Sequence, residues 1–170
     1  MFLKIVSPKG KYKDNDVYDM IVRYVLSPYK VYNANYCHGY NLNLDTAAED
    51  MISTVARFNK NRGTRIRHMI LIFDPHSESH ISGRDVNDIA YRVCCYYAQN
   101  GFQLFHAVHG DKKYLHAHII MNTVRITNGK KYEGDKTDFH CFQNHLKTVL
   151  RPYGLKLDGV LYGSDVEDDY

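Results

Sequence analysis

Two apolar segments separated by a short polar turn constrain the fold of this chain more than any other feature. They cover residues 102–109 and 114–125, and each has the length and apolar content of a strand. The polar turn of residues 110–113 is short enough to join them as a β-hairpin. The sequence therefore predicts a sheet that contains antiparallel neighbours.

The remaining segments predict helices and strands in an order that indicates an α+β domain. Helical spacing of apolar residues covers residues 15–26, 45–59, 82–99 and 137–150. Further strands are predicted over residues 2–7, 67–73 and 155–162, the last as an edge strand, and residues 29–43 are predicted to be a loop or short strand. We expect an antiparallel β-sheet with helices packed on it.

Composition and charge limit the class of protein. A chain of 170 residues suits one domain over residues 1–163, followed by an acidic tail, 164–170, that we expect to be disordered. Removing the four tail acids from the total of 19 leaves a body of net charge +7, which suits a polyanionic ligand. The absence of a long apolar stretch excludes a membrane span. Four cysteines without a C-x-x-C pair indicate reduced thiols in a cytoplasmic protein.

Histidines are concentrated on the predicted hairpin. His116 and His118 share one face of their strand, and His109 ends the preceding strand across the short turn. Three neutral imidazoles on rigid strands describe an open divalent-metal site. Asp111 in the turn is predicted to accept a hydrogen bond from a ligand histidine, and Asn122 projects from the same face as the histidine pair.

Two other histidines lie on neighbouring predicted strands. His106 falls on the opposite face from His109 and is predicted to be structural. His68 begins the strand of residues 67–73 and could approach the metal-site face of the sheet.

The pattern of histidines separates three known chemistries. A histidine-triad hydrolase needs a third alternating histidine, but residue 120 is Ile. A two-histidine phosphoesterase needs two His-x-Thr/Ser repeats, which the chain lacks. The run HGDKKYLHAHIIMN instead resembles the third motif of plasmid relaxases, His-x-Asp followed by His-x-His, apolar residues and Asn. Five residues fill that motif: His109, Asp111, His116, His118 and Asn122.

The resemblance to relaxases implies a His-hydrophobic-His (HUH) endonuclease fold and a tyrosine nucleophile. Tyr24, followed by Val25, a turn and Lys30, resembles the family's N-terminal tyrosine stretch. Tyr29, Tyr32 and Tyr36 are the alternative nucleophiles. The implied reaction is site- and strand-specific nicking and rejoining of single-stranded DNA at a plasmid or mobile-element transfer origin. It would proceed through a 5′-phosphotyrosine, with Mn²⁺ or Mg²⁺ as cofactor and accessory transfer proteins as partners. By ligand softness alone, three imidazoles also suit Zn²⁺, Ni²⁺ or Co²⁺.

Basic and aromatic residues are candidates for contacting the DNA. The candidates for the phosphate backbone are Lys60, Arg62, Arg65, Arg67, Lys130, Lys131 and Lys136. The candidates for stacking on bases are Tyr32, Tyr36 and Tyr40.

Other functions fit parts of the same pattern. One alternative is a rolling-circle replication initiator or transposase of the same chemistry, with Tyr132 or Tyr153 as nucleophile. Further alternatives are a DNA-binding module that does not cleave and a metal-stabilised regulatory domain without nucleic acid. Formation of a covalent protein–DNA adduct distinguishes the enzymes from the latter two.

Overall fold

A computed structural model describes residues 1–6, 12, 16–73 and 81–163. The strands are β1 (Phe2–Val6), β2 (Cys37–Tyr40), β3 (Ile66–Ile72), β4 (Leu104–His109), β5 (His116–Asn122) and β6 (Gly159–Gly163). The α-helices are α1 (Val17–Val25), α2 (Ala47–Arg57), α3 (Gly83–Ala98) and α4 (Lys136–Leu150). The predicted tail, residues 164–170, lies outside the described residues, as do the predicted element ends at Ser7 and Asn15.

The six strands form one sheet in the order β2-β4-β5-β3-β1-β6. Neighbouring strands are antiparallel except for β1 and β6, which are parallel. The predicted hairpin is confirmed, because β4 and β5 pair with His109 directly opposite His116. The α+β fold class and the final edge strand are confirmed as well. The undecided segment of residues 29–43 supplies the other edge strand, β2.

Helices cover both faces of the sheet and form a separate apolar core on each. On one face, α3 and α4 pack over alternate strand residues such as Leu71, Val108 and Ile119. On the other face, α1 and α2 pack over their neighbours Ile70 and Ile120. This alternation follows from the two-residue period of a strand. It divides the histidines as well, since those of β5 share the α1–α2 face with Ile120.

Local sequence explains how two of the helices begin. Ser82 caps α3 by accepting a hydrogen bond from the Asp85 amide, while the Asp85 carboxylate accepts one from the Ser82 amide. Asp135 caps α4 in the same way by accepting from the amide of Asp138. Such reciprocal and single caps satisfy amides that have no partner within the helix. Among the described residues, no helix is both long enough and apolar enough to span a membrane.

Candidate metal centre

The register of the hairpin brings three imidazoles together. His109 and His116 are paired across β4 and β5, and His118 follows two residues later on the same face. One ring nitrogen from each of these histidines lies within 4.8 Å of those of the other two. All three side chains are buried. This is the convergence that the spacing predicted, and it gives the chain a set of donors that could hold a divalent metal.

Main-chain carbonyls fix the proton on two of the rings. Nε2 of His109 donates to the carbonyl of Val25 at 2.7 Å, which leaves Nδ1 as the nitrogen with the lone pair. Nδ1 of His116 donates to the carbonyl of Tyr114 at 3.0 Å, so Nε2 carries the lone pair. A metal needs the lone pair of a neutral imidazole, and these bonds present it toward the cluster.

The third ligand candidate bonds to another side chain. Nδ1 of His118 lies 2.8 Å from Nε2 of His68, and Nδ1 of His68 lies 2.9 Å from the hydroxyl of Tyr12. The sequence indicated only that His68 could approach this sheet face, and the β3–β5 pairing brings its ring to that of His118. No sequence pattern indicated a role for Tyr12.

Burial keeps the clustered histidines neutral. Burial lowers the pKa of His116 from 6.5 to about 4 and that of His68 to about 3. The pKa of His118 falls well below 6.5 because of burial and the nearby histidines, and burial also lowers the pKa of His109. Neutral imidazoles are the form that binds metals.

Two buried ring nitrogens without a hydrogen-bond partner indicate whether a metal fits the cluster. Within the described ranges, Nδ1 of His109 and Nε2 of His118 are buried and accept no hydrogen bond. A buried polar atom without a partner is costly unless an ion or water satisfies it. Both atoms belong to the set that converges, so the donor set fits a divalent ion with open positions for other ligands.

Asp111 takes a different place from the one predicted. Its Oδ1 lies 3.8 Å from Nδ1 of His109 and 3.7 Å from Nε2 of His116, the two nitrogens that face the cluster. The sequence predicted that Asp111 would accept a hydrogen bond from a clustered histidine through the ring nitrogen that points away from the cluster. In the structure, the carbonyls of Val25 and Tyr114 and the ring of His68 occupy those positions. Asp111 therefore lies beside the ring nitrogens that converge, and its other oxygen lies 3.9 Å from Nζ of Lys30.

Asn122 is not part of the cluster, which corrects the prediction for this residue. It lies at the far end of β5, where its amide nitrogen donates to the carbonyl of Met51 and to Oε1 of Gln103. Its amide oxygen accepts from the amide of Val124. These bonds tie β5 to α2 and to the residue that precedes β4, so the role of Asn122 is structural.

Tyr24 lies beside the three histidines. Its half-buried ring stands edge-on to that of His118, with the ring centroids 5.6 Å apart, and 6.4 Å from that of His109. Nζ of Lys30 lies 4.1 Å from the centre of the Tyr24 ring. The last turn of α1 thus delivers a tyrosine to the metal centre, and the segment that follows delivers a lysine.

An exposed tyrosine, Tyr32, and a half-buried one, Tyr36, form an aromatic pair next to this centre. The rings of Tyr32 and Tyr36 are stacked, with centroids 6.2 Å apart and planes inclined by 9°. A Cβ at Gly110 would lie 2.7 Å from the Tyr32 ring, so the ring rests on the backbone that follows His109. Tyr40 is different, because it is buried and its hydroxyl bonds to His106. The prediction that Tyr40 stacks on bases was wrong.

The predicted basic residues lie away from the histidines. Residues 60–65 precede Ile66, which pairs with Asn122, whereas His116 pairs with Ile72. Six residues of β3 therefore separate the two ends, a distance of about 20 Å. Lys60, Arg62, Lys130 and Lys136 are exposed.

Three of the basic residues have structural contacts instead. Arg65 is buried and donates to the carbonyl of Asn61. The guanidinium of Arg67 lies 4.9 Å from the ring centre of Tyr132, on the opposite sheet face from the histidines. Lys131 donates to the carbonyl of Thr64. Arg65 and Arg67 thus have their charged groups in contact with other parts of the protein.

His106 has the structural role that was predicted from its strand face. Its Nδ1 lies 3.0 Å from the hydroxyl of Tyr40, and its Nε2 lies 3.0 Å from Oδ1 of Asn87. Burial lowers the pKa of His106 to about 3.

Fold and site together define an HUH-type nuclease domain, and comparison with protein families agrees. The family model described as "Relaxase: MobA/VirD2-like, nuclease domain" matches residues 24–155. The chain belongs to this relaxase family.

Known relatives cover the chain only in part, and the chain covers a small part of them. Two proteins named Protein rlx from Staphylococcus aureus are 26% identical over 119 residues and 29% identical over 98 residues. These matches take in 70% and 58% of this chain, but 36% and 29% of the relatives. The group II intron-interrupted relaxase LtrB of Lactococcus lactis is 22% identical over 95 residues, covering 56% of this chain and 16% of that protein.

A solved structure shares the fold over nearly the whole chain. It is the Mn-bound crystal structure of the MobM relaxase domain with oriT DNA of plasmid pMV158. The TM-score is 0.56 at 13% identity, and the match covers 99% of this chain and 92% of that one.

Proposed function

We propose that this chain nicks and rejoins one strand of DNA at a transfer origin, with Tyr24 as the nucleophile. The observation that carries the proposal is the position of the Tyr24 ring, edge-on to His118 and 5.6 Å from it. A tyrosine used only for packing has no need of three buried imidazoles beside it. Membership of the relaxase family supports the same reaction.

The chemistry assigns a part to each residue around the centre. His109, His116 and His118 would hold the ion, and Asp111 adjoins them. A divalent ion, Mn²⁺ or Mg²⁺, would neutralise the non-bridging oxygens of the scissile phosphate and orient the phosphorus for attack. The choice of Mn²⁺ is supported by the Mn-bound structure of the MobM domain, which has the same fold.

The covalent step transfers the phosphoryl group from one oxygen to another. The phenolate oxygen of Tyr24 attacks the phosphorus, and the bond from phosphorus to the 3′ oxygen breaks. The products are a 5′-phosphotyrosine and a free 3′-OH, which takes up a proton. Because a phosphodiester is exchanged for a phosphodiester, the reverse attack rejoins the strand. Lys30 sets a positive charge over the Tyr24 ring, where it favours the phenolate.

The stacked pair of Tyr32 and Tyr36 supports a single-stranded substrate. Exposed aromatic rings bind unpaired bases by stacking, whatever their sequence. The pair begins on the backbone next to His109, so a strand stacked there would lead to the metal centre. The exposed Lys60, Arg62 and Lys130 at the far end of the sheet are proposed to contact the phosphate backbone.

The contacts of Tyr132 and Tyr153 do not support the alternative of a replication initiator or transposase that uses one of them as nucleophile. The hydroxyl of Tyr132 donates to Asp138, and that of Tyr153 donates to Asp88. Both rings pack against the α3–α4 core, on the sheet face opposite His109, His116 and His118.

The test is cleavage of a labelled oligonucleotide that carries the transfer origin. Tyr24→Phe removes one oxygen and little packing, so we expect it to abolish nicking and the covalent adduct while Mn²⁺ affinity stays within about twofold of wild type. Tyr29→Phe is the matched control, because Tyr29 is 96% exposed and should be dispensable.

Mass spectrometry of the DNA-linked peptide identifies the residue that carries the DNA. An adduct on Tyr29, Tyr32 or Tyr36 would keep the mechanism and reassign the nucleophile. Cleavage by Tyr24→Phe without any tyrosine adduct would contradict the proposal and indicate attack by water.

A further inference from the structure

Two buried histidines on opposite faces of the sheet have nearly identical surroundings. His68 and His106 are both fully buried, and each has its Nδ1 within 3.0 Å of a tyrosine hydroxyl, from Tyr12 and Tyr40 respectively. They differ at Nε2. His106 meets the amide oxygen of Asn87, whereas His68 meets Nδ1 of His118.

We propose that His68 is a positioning residue that fixes the proton of His118 and so presents its Nε2 to the metal. The inference rests on the proposed metal centre. It extends that centre from three histidines to a chain of side chains that runs from the cluster through His68 to Tyr12.

The protons along this chain can be placed by elimination. Nε2 of His118 must keep its lone pair to bind a metal, so Nδ1 of the neutral ring carries the hydrogen. That hydrogen points at Nε2 of His68 across 2.8 Å, and the nitrogen must therefore be an acceptor. The other nitrogen of His68, Nδ1, then carries the hydrogen and donates it to the oxygen of Tyr12 at 2.9 Å.

Of the hydrogen-bond partners described above for the three histidines, His68 is the one that a side-chain substitution removes. The other two histidines are held by the carbonyls of Val25 and Tyr114, which no side-chain substitution deletes. Losing the outer partner of a metal-binding histidine typically lowers metal affinity about 10- to 100-fold. Within the described residues, Nε2 of His118 is buried without a hydrogen-bond partner, so it is free to face the metal once His68 holds Nδ1.

The experiment compares Mn²⁺ affinities of three variants by isothermal titration. His68→Phe removes the acceptor and keeps a ring in the space, and we expect affinity to fall at least tenfold. His68→Gln restores an oxygen that can accept from His118, and we expect affinity within about threefold of wild type. His106→Phe is the matched control on the other face, where affinity should change less than twofold.

Several results would overturn the proposal. Affinity in His68→Phe equal to that in His106→Phe would mean that the contact does not support the metal. A His68→Gln protein as weak as His68→Phe would mean that ring packing, and not the hydrogen bond, matters. Failure of the wild-type protein to bind Mn²⁺ would remove the centre itself.

A measurement on the wild-type protein keeps the test independent of folding of the variants. Nitrogen-15 NMR of the metal-free protein should show the proton of His118 on Nδ1 and a bare Nε2. The opposite tautomer contradicts the proposal. DNA cleavage is assayed separately, so absence of nicking with His68-dependent metal affinity would count against the proposed function and leave the role of His68 standing.

Discussion

At the scale of single residues, the site separates what a linear pattern can predict from what it cannot. The alternation of His116 and His118, and the short turn before them, was enough to predict the cluster. Their outer partners could not be predicted, because two are main-chain carbonyls and the third, His68, depends on which strand lies beside β5. The motif identifies the histidines, whereas the groups that orient their rings are known only from the fold.

Asp111 gives a prediction at this scale. Its carboxylate lies within 3.8 Å of two ligand nitrogens, so its negative charge favours a bound cation. We expect Asp111→Asn, which keeps the shape and removes the charge, to lower Mn²⁺ affinity about tenfold, as removal of a group next to a metal commonly does.

Isothermal titration measures this change, and Asp19→Asn on the exposed side of α1 is the control that should leave affinity unaltered. Equal affinities in the two variants would mean that Asp111 serves only to pair with Lys30.

At the scale of elements, the segment after α1 determines how Tyr24 and Lys30 lie relative to the three histidines. Lys30, Val31 and Tyr32 run along the end of β4, with the Tyr32 amide bonded to the carbonyl of Val108 and the Gly110 amide bonded to the carbonyl of Lys30. This short pairing holds Lys30 and the end of α1 over the histidines. The sequence predicted only a loop or short strand for residues 29–43, because their Tyr, Asn and Gly residues show no clear helix or strand periodicity.

Strand pairing also marks the limit of prediction for the sheet. Local signals identified the strands, and the turn length identified the β4–β5 hairpin. The parallel pairing of β1 with β6 joins residues at the two ends of the described chain, and no local pattern encodes a contact of that separation.

The aromatic pair gives a prediction for this segment. Tyr32→Ala removes the ring that rests on Gly110, and stacking of one base on an aromatic ring contributes about 1–3 kcal/mol. We expect affinity for a single-stranded oligonucleotide to fall about 5- to 160-fold, while Mn²⁺ affinity stays unchanged.

Fluorescence anisotropy at constant salt measures the oligonucleotide affinity. Tyr162→Ala on the edge strand β6 is the control, because Tyr162 is also exposed but lies on the far edge of the sheet. Equal losses in both variants would indicate nonspecific contact with exposed rings.

At the scale of the whole molecule, the two sheet faces differ in what they carry. The α3–α4 face carries the larger apolar core and the structural His106, while the α1–α2 face carries the nucleophile candidate and the metal-site histidines. Because the candidate metal ligands are grouped on one face, the larger apolar core on the other face is left to stabilise the domain. The cost is a set of buried imidazoles that must stay neutral in the folded state.

These imidazoles give the metal-free protein a defined dependence of stability on pH. The folded-state pKa is about 3 for His68 and His106 and about 4 for His116, against 6.5 for an ordinary histidine. Below pH 6.5 the unfolded chain therefore binds protons that the folded chain does not bind. The free energy of unfolding must then fall as the pH drops toward 4. One such histidine accounts for about 2 kcal/mol between pH 7 and pH 5.

Urea denaturation at several pH values tests this directly. The free energy of unfolding should be nearly constant above pH 7 and should decrease steadily between pH 6.5 and pH 5. Saturating Mn²⁺ should raise stability at pH 7.5 and lose its effect in acid, because a metal binds only to neutral imidazoles of the folded protein. In His106→Phe one of the protonation sites is gone, so the slope should become shallower by about one proton per molecule at most. A denaturation midpoint that stays flat from pH 7.5 to pH 5 would mean that these histidines are hydrated and accessible to protons, and the metal centre would then lack the dry, neutral ligands on which its chemistry depends.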